Sequence, residues 1–372
     1  MLTLRLADKN DLNALVQIEQ QCFVYDQISR RSFSHFLKGE HSTLAIIADE
    51  RQMLGYVLLL FRSGTGLARL YSLAVVPEAQ GKGYGKQLLA WGEQYAGEHG
   101  CVYLRLEVSV NNLAAYQLYQ QRGYKTLAKL SAYYEDGADG WRMEKRLHSK
   151  ALSRRARPNF AYYEQSTEFT CGPASLMMAL QTLQTDYRAN RREELQIWRE
   201  ATTIFMTSGH GGCSPHGLAL SAWRRALAVE LIVNSNGTPF IDGVRSAEKK
   251  AVIELVHQDF LTQLAESDVK VRNDWPNTEE LDAILARQQP ILALISTWQL
   301  TRDKAPHWVV ITASDENYVY INDPDIDDKQ PHLSKTDFEQ IPIAKGLFWK
   351  MASFGQQKLK ALLVLGATAP NS

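Results

Sequence analysis

The sequence predicts two domains in series: an α/β domain, then an α+β domain. Three observations carry this expectation. The 372 residues suit two domains of ordinary size. Strand and helix patterns alternate through residues 1–148, whereas helices lead and strands follow in residues 159–366. Between them, residues 149–158 (Ser-Lys-Ala-Leu-Ser-Arg-Arg-Ala-Arg-Pro) are basic, polar and without apolar periodicity, as a solvated linker is.

The elements follow in order. Residues 2–6 alternate as a strand, and 11–23 have helical periodicity after an Asp cap. Residues 44–48 and 53–61 pattern as a strand hairpin, and 70–76 as a strand that stops at Pro77. An amphipathic helix at 84–99, a strand at 102–108, a helix at 112–122 ended by Gly123 and a strand at 142–146 complete the first half. The second half opens with helices at 171–184 and 191–202. Ser214-Pro215 reads as a cap with Pro at the first helical position, starting a helix to 227. A long helix covers 246–265, and Asn277 with Glu280 makes a capping box before 281–286. Strands follow at 291–296, 308–312 and 318–322.

Composition narrows the function classes. The formal net charge is zero, which removes any general attraction to nucleic acid or an anionic membrane. The four cysteines, Cys22, Cys101, Cys171 and Cys213, are scattered and form no C-x-x-C pair, so neither a zinc ribbon nor a redox dithiol is expected. Few cysteines, no signal-peptide pattern and no apolar run long enough to cross a bilayer suggest a cytoplasmic protein.

The first chemical constellation is a strand, a glycine-rich turn and a helix start. Leu73, Ala74 and Val75 end the strand, and Gln80, Gly81, Lys82, Gly83, Tyr84, Gly85 and Lys86 form the turn. Glycines let the backbone approach a ligand, and N–H groups at a helix N-terminus bind phosphate. Gln80-Gly81-Lys82-Gly83-Tyr84-Gly85 matches the [Arg/Gln]-x-x-Gly-x-[Gly/Ala] signature of the GCN5-related N-acetyltransferases (GNAT), which this half resembles. Glu107-Val108, the run from Asn112 to Tyr119, and Gly123-Tyr124 match that family's second motif, with spacing most like the ribosomal-protein alanine acetyltransferases. The resemblance implies a GNAT fold over residues 1–148 and acetyl-CoA in a V-shaped opening between parallel strands. Leu73, Ala74 and Val75 would hold the pantetheine and acetyl group. Gln80 through Lys86 would hold the pyrophosphate, and Asn112 a coenzyme amide. Glu107 would remove the amine proton, usually through water, and Tyr119 would protonate the departing thiolate. The chemistry needs both, because only a neutral amine attacks.

The second constellation centres on Cys171-Gly172-Pro173-Ala174, placed at the first turn of an apolar helix, where negative charge and hence thiolate is favoured. A thiolate needs a base, and the base an orienter. Of the downstream histidines His210, His216, His257, His307 and His332, His307 at the start of a strand is the best candidate. Asp323 follows sixteen residues later, and a hairpin between them brings both to one end of a sheet. With Gln165 six residues before Cys171, this pattern resembles the papain-like, bacteriocin-processing (double-glycine) cysteine peptidases. That resemblance implies a Cys171, His307 and Asp323 triad, with Gln165 as oxyanion donor. The long interval from Cys171 to His307 departs from that family and implies extra structure near 185–290.

The glycine-rich stretch 207–217 reads as a loop lining a peptide cleft; a metal on His210, Cys213 and His216 would lack a fourth ligand, and no metal is expected. The expected protein is bifunctional: acetyl transfer from acetyl-CoA to a primary amine, plausibly a peptide or protein N-terminus, plus thiol-dependent amide cleavage. The alternative is an acetyltransferase whose second domain binds peptide without cleaving it, or transfers an acyl group.

Overall fold

Strands in the N-terminal half build a mixed sheet in the computed structural model, which describes residues 2–148, 160–202, 211–235, 237–302, 305–326 and 335–367. Its strands are β1 (Thr3–Leu6), β2 (Ser42–Ala48), β3 (Met53–Phe61), β4 (Leu67–Val75), β5 (Tyr103–Ser109), β6 (Lys125–Leu130) and β7 (Gly140–Arg146). Their order is β1-β2-β3-β4-β5-β7-β6. Every pairing is antiparallel except β4 with β5. The helices are α1 (Leu12–Cys22), α2 (Arg30–Phe36), α3 (Tyr84–Glu98) and α4 (Leu113–Gln121). On α3, Leu88, Leu89 and Ala96 are buried, and Gly92 lets the helix sit close to Leu59 of β3. This is the GNAT arrangement expected from the sequence.

The caps differ in one place. Asp11 does not cap α1; it accepts from Asp8 N and from Arg5. Asp8 caps a short 3-10 turn that leads into the helix, because Asp11 is already committed to that guanidinium.

Residues 149–158, the expected linker, lie outside the described residues, and the chain divides into two compact units near residue 151. The second unit contains α5 (Cys171–Leu183), α6 (Arg191–Ala201), α7 (Pro215–Trp223), α8 (Ala247–Ala265), α9 (Thr278–Ala286), α10 (Trp298–Thr301) and α11 (Lys345–Met351). Its strands are β8 (Leu227–Val233), β9 (Lys270–Arg272), β10 (Ile291–Ser296), β11 (Pro306–Ser314), β12 (Tyr318–Asn322), β13 (Ile341–Ala344) and β14 (Ala361–Ala367). The order is β13-β12-β11-β10-β14-β8-β9. Alternation along the strands feeds two cores. Leu292, Leu294, Trp308 and Val310 pack with α5, α6 and α7, whereas Ile291, Ala293, Val309 and Ile311 pack with α9 and α11.

One helix end moved for a physical reason. The helix expected to run to 227 stops at Trp223, since Ala226 adopts a left-handed φ of 56° and Leu227 already pairs with Ala367 in the sheet. The expected Asn277 and Glu280 capping box is present, with both reciprocal bonds.

Candidate active sites

In the first unit, β4 and β5 pair only from Leu67 to Arg69 opposite Tyr103 to Arg105. Beyond that, β4 stays with β3 to Val75 and β5 stays with β7 to Ser109. The two parallel strands therefore splay. A bulge strengthens the bend: Leu58 faces Ser72 while Leu59 faces Leu70, leaving Tyr71 as the extra residue. Val76 N donates to Leu54 O at 2.9 Å, which turns even-numbered backbone groups toward β3. Leu73 and Val75 consequently turn theirs to the opening. Ala74 does not; its backbone belongs to the ladder, which leaves no free backbone group for the contact expected of it. The Val75 carbonyl accepts from Gln80 Nε2 at 3.1 Å and from the Cys22 thiol at 3.4 Å.

The glycine turn has the geometry a phosphate needs. Gly81 and Gly83 have φ of 77° and 85°, and a Cβ at either would meet nothing within 4 Å. Gly83 caps α3 in the left-handed conformation. The first turn, Tyr84, Gly85 and Lys86, therefore points its free N–H groups outward. Lys82 lies exposed in the same turn. Asn112 is exposed at the start of α4, where its side chain caps Ala115 N at 3.1 Å.

Glu107 lies among arginines. Its Oε2 accepts from Arg69 Nε at 2.8 Å and its Oε1 from Arg142 Nε at 2.6 Å. Arg69 also donates to the Tyr133 hydroxyl at 2.7 Å. The Glu107 side chain is 5% exposed, so little of it faces solvent. Tyr119 is 5% exposed and stacks at a tilt on Tyr124. Its hydroxyl has no hydrogen-bond partner among the described residues, and burial pushes it well above the ordinary phenol range. That keeps the proton on oxygen until a strong base arrives. Tyr134 is pushed up as well, by burial and then by the charge of Glu107, which places it beside the same cluster. Sequence reasoning missed Arg69, Arg142, Tyr133 and Tyr134. Arginines on otherwise apolar strands were the available signal.

In the second unit, Cys171 opens α5 and is 6% exposed. His307 sits on β11, which pairs with β12 so that Val310 faces Asn322. The hairpin thus brings His307 and Asp323 to one end. His307 Nε2 lies 2.7 Å from Asp323 Oδ1, and the Cys171 side chain is near enough to the imidazole to favour its protonation. Burial works against protonation of His307, but the charge of Asp323, its hydrogen bond and the contact with Cys171 outweigh it and raise the imidazole well above its usual value. Ser175 Oγ donates to Trp308 O at 3.1 Å, which locks α5 to β11 one turn from the thiol.

Gln165 is placed through the same end of the sheet. Its backbone N donates to Pro324 O at 3.0 Å and its Nε2 to Asp325 Oδ1 at 2.8 Å. Of the other histidines, His216 and His257 form a buried edge-to-face pair with centroids 4.7 Å apart. His210, His332 and residues 207–210 of the glycine stretch lie outside the described residues. Among the described residues no group of three or more His, Cys, Asp or Glu could hold a metal. No helix among them is long and apolar enough to cross a membrane.

A splayed parallel strand pair above a glycine turn, and a cysteine, histidine and aspartate cluster on a second sheet, define two enzyme-like units. The chain belongs to the Peptidase_C39 like family through residues 160–366 and to the acetyltransferase (GNAT) family through residues 12–124. The first unit is thus an N-acetyltransferase of the GNAT family. It is 32% identical over 146 residues to the uncharacterized N-acetyltransferase MJ1530 of Methanocaldococcus jannaschii, covering 39% of this chain and 92% of that one. It is 30% identical over 135 residues to the [ribosomal protein bS18]-alanine N-acetyltransferase of Salmonella typhimurium, covering 36% and 88%. Among solved structures, the ribosomal-protein-S18-alanine N-acetyltransferase from Escherichia coli aligns with 26% identity and a TM-score of 0.37, covering 41% of this chain and 99% of that one.

Proposed function

We propose that this protein carries two activities: acetyl transfer from acetyl-CoA to the α-amine of a peptide or protein, and thiol-dependent cleavage of an amide bond. The relative named for bS18 alanine supports a peptide α-amine as acceptor. In the transferase, backbone groups of Leu73 and Val75 align the pantetheine, and the turn from Gln80 to Lys86 receives the pyrophosphate. Asn112 offers its amide at the rim. Glu107 takes the amine proton through a water while nitrogen bonds the acetyl carbon. As the carbon–sulfur bond breaks, Tyr119 gives its proton to the thiolate.

The amidase reading is carried by one observation: His307 is held by Asp323 at 2.7 Å, with Cys171 of the α5 start near the same imidazole. The Cys171 sulfur attacks the amide carbon, and His307 delivers a proton to the leaving nitrogen. Water then cleaves the thioester and restores the thiol. Gln165 and the Cys171 N–H would face the oxyanion. All four cysteines are free thiols, which fits a reducing cytoplasm.

Mass spectrometry of a peptide library incubated with the protein, with and without acetyl-CoA, tests both readings. Products heavier by one acetyl group that require Tyr119 support the first. Fragments that gain water and require Cys171 support the second. Fragments joined to an acceptor amine assign acyl transfer, and no change beyond acetylation leaves the second unit a peptide-binding module.

A further inference from the structure

Resting on the thiol reading above, we propose that Asp325 is a positioning residue for the oxyanion-hole amide, coupling Gln165 to the triad through the turn Asp323-Pro324-Asp325. Four bonds make the coupling. Asp323 Oδ1 lies 2.7 Å from His307 Nε2 and accepts from Asp325 N at 3.1 Å. Pro324 O accepts from Gln165 N at 3.0 Å, and Asp325 Oδ1 accepts from Gln165 Nε2 at 2.8 Å. The Tyr162 hydroxyl pins the turn by donating to Asp323 O at 2.8 Å. The same three residues therefore hold both the imidazole and the amide.

The chemistry gives Asp325 a specific task. A carboxylate only accepts hydrogen bonds, whereas an amide has a donor end and an acceptor end. Facing Asp325, Gln165 must present Nε2; the flipped amide would set oxygen against oxygen. Gln165 Oε1 is buried and accepts no hydrogen bond among the described residues, so among them only Asp325 selects the orientation. With one N–H given to Asp325, the second is left for a developing oxyanion. Removal of Asp325 frees the amide to rotate, and a donor that must first be oriented stabilises charge less well.

The test separates the oxyanion hole from the thiol. In the full-length chain, alkylation of Cys171 by iodoacetamide needs the thiol and His307 but no oxyanion hole. N-acetylglycinal adds to the thiol as a hemithioacetal, whose oxygen needs the hole, and so protects Cys171 from alkylation. Asp325→Ala is expected to raise the aldehyde concentration for half-protection about tenfold, a fraction of the loss typical for deleting an oxyanion donor. The alkylation rate and its pH profile should stay within about twofold, as expected when nucleophile and base are untouched. Asp325→Asn, which keeps an accepting oxygen in one of two flips, should fall between. Gln165→Ala, which deletes the donor itself, should cost more than Asp325→Ala, and the double variant should be no worse than Gln165→Ala alone. Unchanged protection in Asp325→Ala, or losses that add in the double variant, overturns the proposal. So does a shifted alkylation pH profile, which would place Asp325's influence on His307. A parent chain alkylated normally but never protected also overturns it. If His307→Ala leaves parent alkylation unchanged, the thiol reading itself falls.

Discussion

His307 Nε2 and Asp323 Oδ1 stand 2.7 Å apart on adjoining strand ends, both nearly excluded from solvent. On the amidase reading, this contact would fix the imidazole and leave its other nitrogen for Cys171. Asp323→Asn keeps the shape but offers an amide in place of a charge. Thiol-dependent cleavage and Cys171 alkylation at neutral pH should both drop at least about tenfold, because the tautomer and the imidazolium lose their partner. Alkylation at the parent rate would rule out Asp323 as orienter.

The Tyr119 hydroxyl is buried and pushed up by burial, so it keeps its proton at neutral pH. Tyr119→Phe should lower kcat for acetyl transfer by about 10² or more, within the range for loss of a general acid. KM for acetyl-CoA should hold, since the glycine turn and the strand opening are unchanged. An equal loss in KM would assign Tyr119 to packing.

The Arg69, Glu107 and Arg142 cluster is a buried network with each Glu107 oxygen held by a guanidinium. Arg142→Met should destabilise the protein by about 2 kcal/mol in urea unfolding, less than for a wholly orphaned buried charge because Arg69 remains. Combined with Glu107→Gln, the two losses should fail to add by about 1 kcal/mol. Simple additivity would show that the two residues do not act as one unit.

His216 is driven down to about 3 by burial and by the nearby His257. The folded state thus refuses a proton that the unfolded chain accepts once pH falls below about 6.5. Stability from this residue is full above that pH and is lost as pH falls toward the folded value, by about 1.4 kcal/mol per pH unit. His216→Gln, neutral throughout, should show a shallower decline between about pH 4 and 6 in denaturation curves. Parallel curves for parent and variant would remove His216 as a source of acid lability.

Much of this architecture was legible in local sequence. Gly81 and Gly83 announced a turn where the backbone can approach a ligand, and the strand and helix around them set its place. Cys171, His307 and Asp323 were found from helix onset, strand onset and the length of one hairpin. What escaped depended on distance. Lys125 to Leu130 form an exposed edge strand whose pairing with β7, not its composition, defines it. Arg69 and Arg142 meet Glu107 from different strands, and nothing in their neighbouring residues says so. Asp325 was hidden for the same reason, since its partner Gln165 is 160 residues away.

The position of β14 has a consequence for biosynthesis. Ala361 to Ala367 enter the middle of the second sheet, between β10 and β8, both of which are made long before. Strands β10, β11 and β12 can form their hairpins as the ribosome releases them, but β8 has no route to join them without this segment. The second unit's sheet must therefore wait until translation has passed residue 367, while the first unit can already be folded.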